Sequence, residues 1–305
     1  MNKDFLHIND LTQSEFYEII DVAHWIKKQF KENVDYSPLS RKSMAMIFAK
    51  PSARTRISFE TGVFRLGGHA LFLGPNDIGI GKRESVADIA RVLSKFNDII
   101  MARLFDHAHI LELAKFASIP VINGLTDFNH PCQILADAFT IIEKKGNLEN
   151  LKISYIGDGN NIVHSWFELA MVIPLNLTII CPEDFKPDFN LYNLVKEKGL
   201  SDVEIQHNPL VGIKESDVVY TDVWASMGQK EEADERKKIF QNYQVNKNLM
   251  SYAKSDAIFM HCLPAERGVE VTDSVCDSTN SVIFDQAENR MHAQNAIILK
   301  LMGCK

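Results

Sequence analysis

The chain has 305 residues, 46% of them hydrophobic and 24% charged, and 40 acidic residues against 33 basic ones leave a net charge of −7. That balance excludes the basic footprint of a nucleic-acid binder, and the absence of an 18-residue apolar run predicts no membrane span. The length suits two domains.

The opening MNKDFLHIND lacks the apolar core of a secretory leader. The five cysteines (Cys132, Cys181, Cys262, Cys276 and Cys304) form no C-x-x-C pair. Reduced thiols in the cytoplasm are therefore expected. With no H-E-x-x-H and no Cys/His cluster, neither a bound metal nor another cofactor is expected.

Along the chain, Thr12 to Lys31 reads as an amphipathic helix opened by the capping box Thr12-x-x-Glu15. Apolar runs then alternate with helical stretches: strand 43–49, helix 55–66, strand 69–73, helix 84–96, strand 98–103, helix 107–117, strand 119–123 and helix 131–145. After Lys144-Lys145-Gly146-Asn147 the alternation restarts. It runs through strand 152–156, helix 161–173, strand 177–181, helix 189–198, strands 203–206 and 217–221, helices 229–241 and 246–253, strand 257–261 and a last helix over 286–302. Such alternation predicts an α/β fold of two doubly wound parallel-sheet domains joined near residues 146–150. In such folds ligands lie beyond the carboxyl ends of the strands, so the active site is expected in the interdomain cleft.

The chemistry-bearing residues fall mostly at those strand ends. Pro51-Ser52-Ala53-Arg54-Thr55-Arg56 follows the apolar run 44–49 and opens a helix. Free backbone N–H groups, the positive end of the helix dipole and two guanidinium forks make this an anion site. Arg103 ends another strand. His130-Pro131-Cys132-Gln133 opens a helix, with Pro131 suited to its first position; a neutral imidazole and an amide there can polarise a carbonyl oxygen. Gly157-Asp158-Gly159-Asn160-Asn161 is half of a dinucleotide fingerprint, but Ile162 stands where the third glycine belongs. The asparagines suit an amino-acid carboxylate better than a pyrophosphate. Asp222, at another strand end, can hold a substrate ammonium. His261-Cys262-Leu263-Pro264 ends the next strand and offers a thiol and a freed carbonyl. Glu288-Asn289-Arg290 adds one more arginine near the start of the last helix.

Seven motifs in order over essentially the whole chain resemble the ornithine carbamoyltransferase family: PSARTR at 51–56, GKRES at 81–85, HPCQ at 130–133, GDGNN at 157–161, DVWASMGQ at 222–229, HCLPAERG at 261–268 and ENRMHAQ at 288–294. The resemblance implies carbamoyl transfer from carbamoyl phosphate to the δ-amine of ornithine, by ordered, non-covalent attack through a tetrahedral intermediate. It implies that Ser52, Ala53, Arg54, Thr55, Arg56, Arg103, His130, Gln133 and Arg290 hold carbamoyl phosphate, with Cys262 beside it and the Leu263 carbonyl on its NH2. Asn161, Asp222, Ser226 and Met227 would hold ornithine. Arg54, Arg103, His130, Asp222 and Cys262 would act in catalysis.

The family fold implies a carbamoyl-phosphate domain over 1–147, completed by a returning C-terminal helix at 286–305, and an ornithine domain over 148–285. It also implies a homotrimer in which loop 77–85 reaches a neighbouring site. Two positions depart from the family pattern: Ala53 stands where a threonine hydroxyl is usual, and Gly79 where the loop often carries Gln or His. A sibling carbamoyltransferase for putrescine or an acylated ornithine is the alternative.

Overall fold

The computed structural model describes residues 3–81, 84–225 and 233–305. The chain folds into two compact units, one of residues 3–139 with Glu288–Lys305 and the other of Thr140–Ala287.

In the first unit the chain runs α1 (Gln13–Lys31), β1 (Ser43–Phe48), α2 (Ala53–Arg65), β2 (His69–Leu73), α3 (Pro75–Ile78), α4 (Val86–Phe96), β3 (Ile99–Arg103), α5 (His107–Phe116), β4 (Val121–Leu125) and into α6 (Pro131–Lys145). The Thr12 capping box forms as expected: Glu15 N–H donates to Thr12 Oγ1 at 3.2 Å and Thr12 N–H to Glu15 Oε2 at 2.8 Å. The four strands are all parallel, in the order β2-β1-β3-β4. Strands β3 and β4 are buried throughout, as parallel strands covered on both faces must be.

The second unit continues from the end of α6 through β5 (Lys152–Ile156), α7 (Asn161–Ala170), β6 (Asn176–Ile180), α8 (Phe189–Lys198), β7 (Asp202–Gln206), α9 (Pro209–Gly212), β8 (Val218–Thr221), α10 (Ala233–Phe240), α11 (Lys247–Met250), β9 (Ile258–His261) and α12 (Asp273–Cys276). Its five parallel strands are ordered β7-β6-β5-β8-β9. The last helix, α13 (Ile283–Leu301), starts in this unit and ends in the first. There Lys300 Nζ pairs with Glu18 Oε2 at 2.7 Å, and Asn295 lies so close to Gly62 that a Cβ on the glycine would sit 2.3 Å from Asn295 Oδ1.

These strand orders decide where chemistry is placed. In each sheet the order reverses once, between β1 and β3 in the first and between β5 and β8 in the second. Loops leaving adjacent strands at such a reversal go to opposite faces and open a crevice at the carboxyl edge.

The N-terminal segment extends the first sheet past β4: Phe5 N–H donates to Val121 O and Asn123 N–H to Phe5 O, both at 2.9 Å. This sets His7 against His107, with Nε2 to Nε2 at 3.2 Å, while His107 Nδ1 meets Thr126 Oγ1 at 2.9 Å. Burial, then the neighbouring His7, pushes His107 down to about 4. Between pH 6.5 and about 4 the unfolded chain takes up a proton at His107 that the folded chain refuses, so stability falls as pH drops through that window. The loss should be on the order of 2 kcal/mol after allowance for partial exposure. Denaturant unfolding at pH 7 and pH 4.5 should show a smaller acid loss in His107→Gln than in the parent; an equal loss would exclude His107 as its source.

Candidate active site

Each unit carries one cluster of polar side chains at the reversal of its sheet. In the first, Ser52 caps α2: its Oγ accepts from Thr55 N–H at 3.2 Å and lies 3.0 Å from Thr55 Oγ1. The helix begins two residues earlier than expected because Ser52, shortly after β1, supplies the cap. Thr55 is fully buried, and its Oγ1 accepts from Arg103 Nη1 at 3.4 Å and from Arg290 Nη2 at 3.0 Å. Arg103 closes β3, where pairing with β4 slips between Ala102 and Arg103 so that Ala102 faces Asn123 and Arg103 faces Leu125. Such a slip re-aims the last side chain of a strand. Gly124 permits it, since a Cβ there would meet Met101 Sδ at 2.6 Å. Arg290 lies about two turns into α13, because that helix starts at Ile283 rather than near 286.

His130 is buried just before α6 and is pushed well below the ordinary histidine range, first by burial and then by Arg290, Arg103 and Lys50. It is therefore neutral near pH 7 and lies beside several cations. Gln133, one turn later, is buried and donates to Asp137 Oδ1 at 2.8 Å. Cys132 beside it is inert: burial pushes its thiol up to about 12, and Sγ points at Asn123 O, 3.3 Å away.

Arg54 is half-buried, and its buried Nε has no hydrogen-bond partner among the described residues. Arg56 differs. It is exposed, pairs with Glu60 Oε2 on its own helix at 3.2 Å and stacks over Phe72 of β2 at 3.9 Å. Gly79 ends α3 in the left-handed conformation, with φ of 53°. Within loop 77–85, Lys82 and Arg83 lie outside the described residues.

In the second unit, Asn160 caps α7 through its Oδ1, which accepts from Ile162 N–H at 2.9 Å, and Asn161 is the first residue of the helix. Asn160 Nδ2 reaches Asp222 Oδ2 at 3.3 Å. Gly159 is required there, because a Cβ would sit 2.3 Å from Pro187 N. Asp222, buried after β8, accepts at Oδ1 from Val223 N–H at 2.8 Å and from Cys262 Sγ at 3.0 Å. The structure thus joins three motifs of this unit, 157–161, 222–225 and 261–263. Ser226 and Met227 lie outside the described residues.

The loop carrying Cys262 is held by a buried network. His261 Nδ1 accepts from Leu263 N–H at 2.9 Å, so the ring proton sits on Nε2 and points to Glu270 Oε1 at 3.0 Å. Gln286 Oε1 accepts from His261 N–H at 2.9 Å. Leu263 has φ of 59°, an uncommon backbone state for a bulky residue that these contacts hold in place. Asp222, His261 and Cys262 each bring a ligand-capable atom within 4.8 Å of the others. Both nitrogens of His261 are committed to Glu270 and Leu263, which withholds that residue from a metal.

Sequence reasoning passed over Lys50, Glu270, Gln286 and Arg236. Lys50, directly before Pro51, is 6% exposed and pairs with Asp127 Oδ1 at 2.9 Å. Its neighbourhood to the motif was the available signal. Glu270 lies nine positions after His261 with no periodicity to mark it, and Arg236 sits in a charged run that reads as a solvated helix face.

The chain's first part, residues 3–143, matches the family model "aspartate/ornithine carbamoyltransferase, carbamoyl-P binding domain", and residues 149–301 match "aspartate/ornithine carbamoyltransferase, Asp/Orn binding domain". It is 57% identical to the chloroplastic ornithine carbamoyltransferase of Pisum sativum over 99% of this chain and 80% of that one. With the ornithine carbamoyltransferase of Thermococcus kodakarensis it shares 51% identity over 99% of this chain and 96% of the other. Among solved structures, the ornithine carbamoyltransferase from Pyrococcus furiosus superposes with a TM-score of 0.94 at 49% identity, covering 98% of this chain and 97% of that one. With both family models matched in order and half or more of its residues shared with full-length relatives, the chain belongs to the aspartate/ornithine carbamoyltransferase family.

Proposed function

We propose that this chain transfers the carbamoyl group of carbamoyl phosphate to the δ-amine of L-ornithine, giving L-citrulline and phosphate. The observation that carries the reading is the convergence of Ser52, Arg103 and Arg290 on the Thr55 hydroxyl at the start of α2. Carbamoyl phosphate brings about two negative charges, which suit several guanidinium groups and a helix N-terminus.

In this reading Ser52, the Ala53 N–H, Arg54, Thr55, Arg103, Gln133 and Arg290 hold carbamoyl phosphate. His130, neutral by burial, donates to the carbonyl oxygen as charge develops on it. The Leu263 carbonyl takes the NH2. Arg56, paired with Glu60, supports the helix rather than the phosphate. Asn161 and Asp222, with Ser226 and Met227, hold ornithine, and Cys262 lies beside its reacting amine. Residues 1–147 with 286–305 serve carbamoyl phosphate, and 148–285 serve ornithine.

The amine must lose its proton before attack. An alkylammonium of lysine type, with pKa about 10.4, resists this by about 4–5 kcal/mol near pH 7. Asp222 and Cys262 position the amine, the C–N bond forms to the carbamoyl carbon, and the tetrahedral intermediate breaks its C–O bond to phosphate. The ammonium's first proton leaves to solvent before attack, and the departing phosphate accepts the second proton, which the attacking nitrogen sheds as the intermediate collapses. No covalent carbamoyl-enzyme is needed.

No helix among the described residues is long and apolar enough to cross a membrane. The working form in this reading is a cytoplasmic homotrimer in which loop 77–85 reaches a neighbouring site, Gly79 contributing there only through its backbone.

A panel of amines incubated with carbamoyl phosphate tests the reaction. Citrulline should form from ornithine, with putrescine, aspartate and acetylornithine inert. Carbamoylation of another amine with none of ornithine would overturn the assignment.

A further inference from the structure

Arg236 belongs to none of the seven motifs, yet it joins two of them. It lies on α10 and is 8% exposed. Its Nη1 donates to Asp158 Oδ2 at 2.8 Å and to Trp224 O at 2.8 Å. Asp158 belongs to the loop after β5, and Trp224 to the loop after β8. One guanidinium therefore ties together the two loops that leave the reversal of the second sheet.

The tie rests on an aromatic bed. The guanidinium carbon lies 4.9 Å from the Phe185 ring centre, Phe185 meets Phe240 edge-on at 4.8 Å, and Phe240 stacks on Trp224 at 5.6 Å. Few rotamers are open to a guanidinium so enclosed, which suits it to hold a distance. A second link between these loops among the described residues, Asn160 to Asp222, is a neutral-donor bond of 3.3 Å and is weaker.

Charge gives the tie a second consequence. Asp158 is held above the usual carboxylate range, mostly by burial, with Arg236 opposing the rise and Asp222 adding to it. The two carboxylates thus sense each other, and among the described residues it is Asp158 that has a cation. Asp222 pairs with no cation among the described residues; its partners are Val223 N–H, Asn160 and Cys262.

We propose that Arg236 is a positioning residue: by bridging Asp158 and the Trp224 carbonyl it sets the spacing of the two amino-acid loops, and by neutralising Asp158 it leaves Asp222 as the single carboxylate offered to the substrate's ammonium. This deepens the reading of the second unit as the ornithine-binding part and rests on it.

Steady-state kinetics of Arg236→Met, Arg236→Lys, Asp158→Asn and the double variant Asp158→Asn/Arg236→Met test the proposal. Arg236→Met should lower kcat/KM for ornithine about tenfold or more, chiefly through KM, while KM for carbamoyl phosphate stays within about twofold. Arg236→Lys, which keeps the charge, should recover part of the loss. The double variant should be no worse than Arg236→Met, because the pair acts as a unit. An unchanged ornithine kcat/KM overturns the proposal. An equal fall for both substrates also overturns it, since that marks a role in folding alone. If Arg236→Met does not fold, Arg236→Lys and Asp158→Asn decide: a selective rise in ornithine KM of about threefold or more supports the tie, and none overturns it. The product made by the parent enzyme judges the ornithine reading separately. Were another amine the acceptor, the same variants assayed with that amine would still test the tie.

Discussion

Arg54→Ala should lower kcat/KM for carbamoyl phosphate by about a thousandfold or more, the scale expected when one preorganised donor is removed from a phosphoryl or oxyanion site. That corresponds to about 4 kcal/mol of transition-state binding. Little compensating cost to the fold is expected. Arg54 is half-buried, and among the described residues no carboxylate pairs with it and its buried Nε has no hydrogen-bond partner. Its position on the first turn of α2 tolerates alanine, the best helix former. Arg54 precedes Thr55, to whose hydroxyl Arg103 and Arg290 donate, so removing its guanidinium lowers the positive charge gathered at this helix start. Activity and stability should therefore move apart: a large loss of turnover with a melting temperature equal to or above the parent's. Calorimetric titration with carbamoyl phosphate beside thermal unfolding checks both. Near-normal affinity would remove Arg54 from the site, and a large drop in melting temperature would recast it as a structural residue.

Much of this arrangement was legible in the residues. The apolar runs at 43–49, 98–103 and 152–156 are buried parallel strands because only strands covered on both faces are apolar without alternation. The strand ends were legible too, since arginines and hydroxyls directly after such runs have few other uses. What the sequence concealed depends on pairing. Strand β4 extends to Leu125, two residues past its expected end, because Gly124 acts as a tight-packing residue rather than a breaker. The one-turn helices at Pro75–Ile78, Pro209–Gly212 and Asp273–Cys276 are too short for any period to register. The last helix begins at Ile283, inside the apolar Val282-Ile283-Phe284 run, where periodicity cannot separate helix from strand. Glu270 and Arg236 act through partners 9 and 78 positions away in the chain, and nothing local announces them. Arg56 shows the converse: a residue inside the most informative motif that the fold turns toward Glu60 and Phe72.

In the second unit the largest effect should come from Asp222→Asn. Asparagine keeps the shape, and its Oδ1 still accepts from Val223 N–H and Cys262 Sγ, so the loop should keep these two bonds and lose only the 3.3 Å contact from Asn160 Nδ2, which then faces a second N–H donor. What it loses is the negative charge, in a pocket where Asp158 is already matched by Arg236. An ammonium entering that pocket then has no carboxylate to meet, and a buried charge without its partner costs several kcal/mol, on the order of 3 here. kcat/KM for ornithine should fall about a hundredfold or more, while KM for carbamoyl phosphate stays within about twofold. The contrast with Arg54→Ala is the informative part, because the two variants should affect different substrates. The two kinetic patterns together would show that each cluster recognises its own substrate. If Asp222→Asn instead weakened both substrates equally, the carboxylate would be acting on the geometry of the Cys262 loop, to which it is bonded at 3.0 Å, and not on the amine.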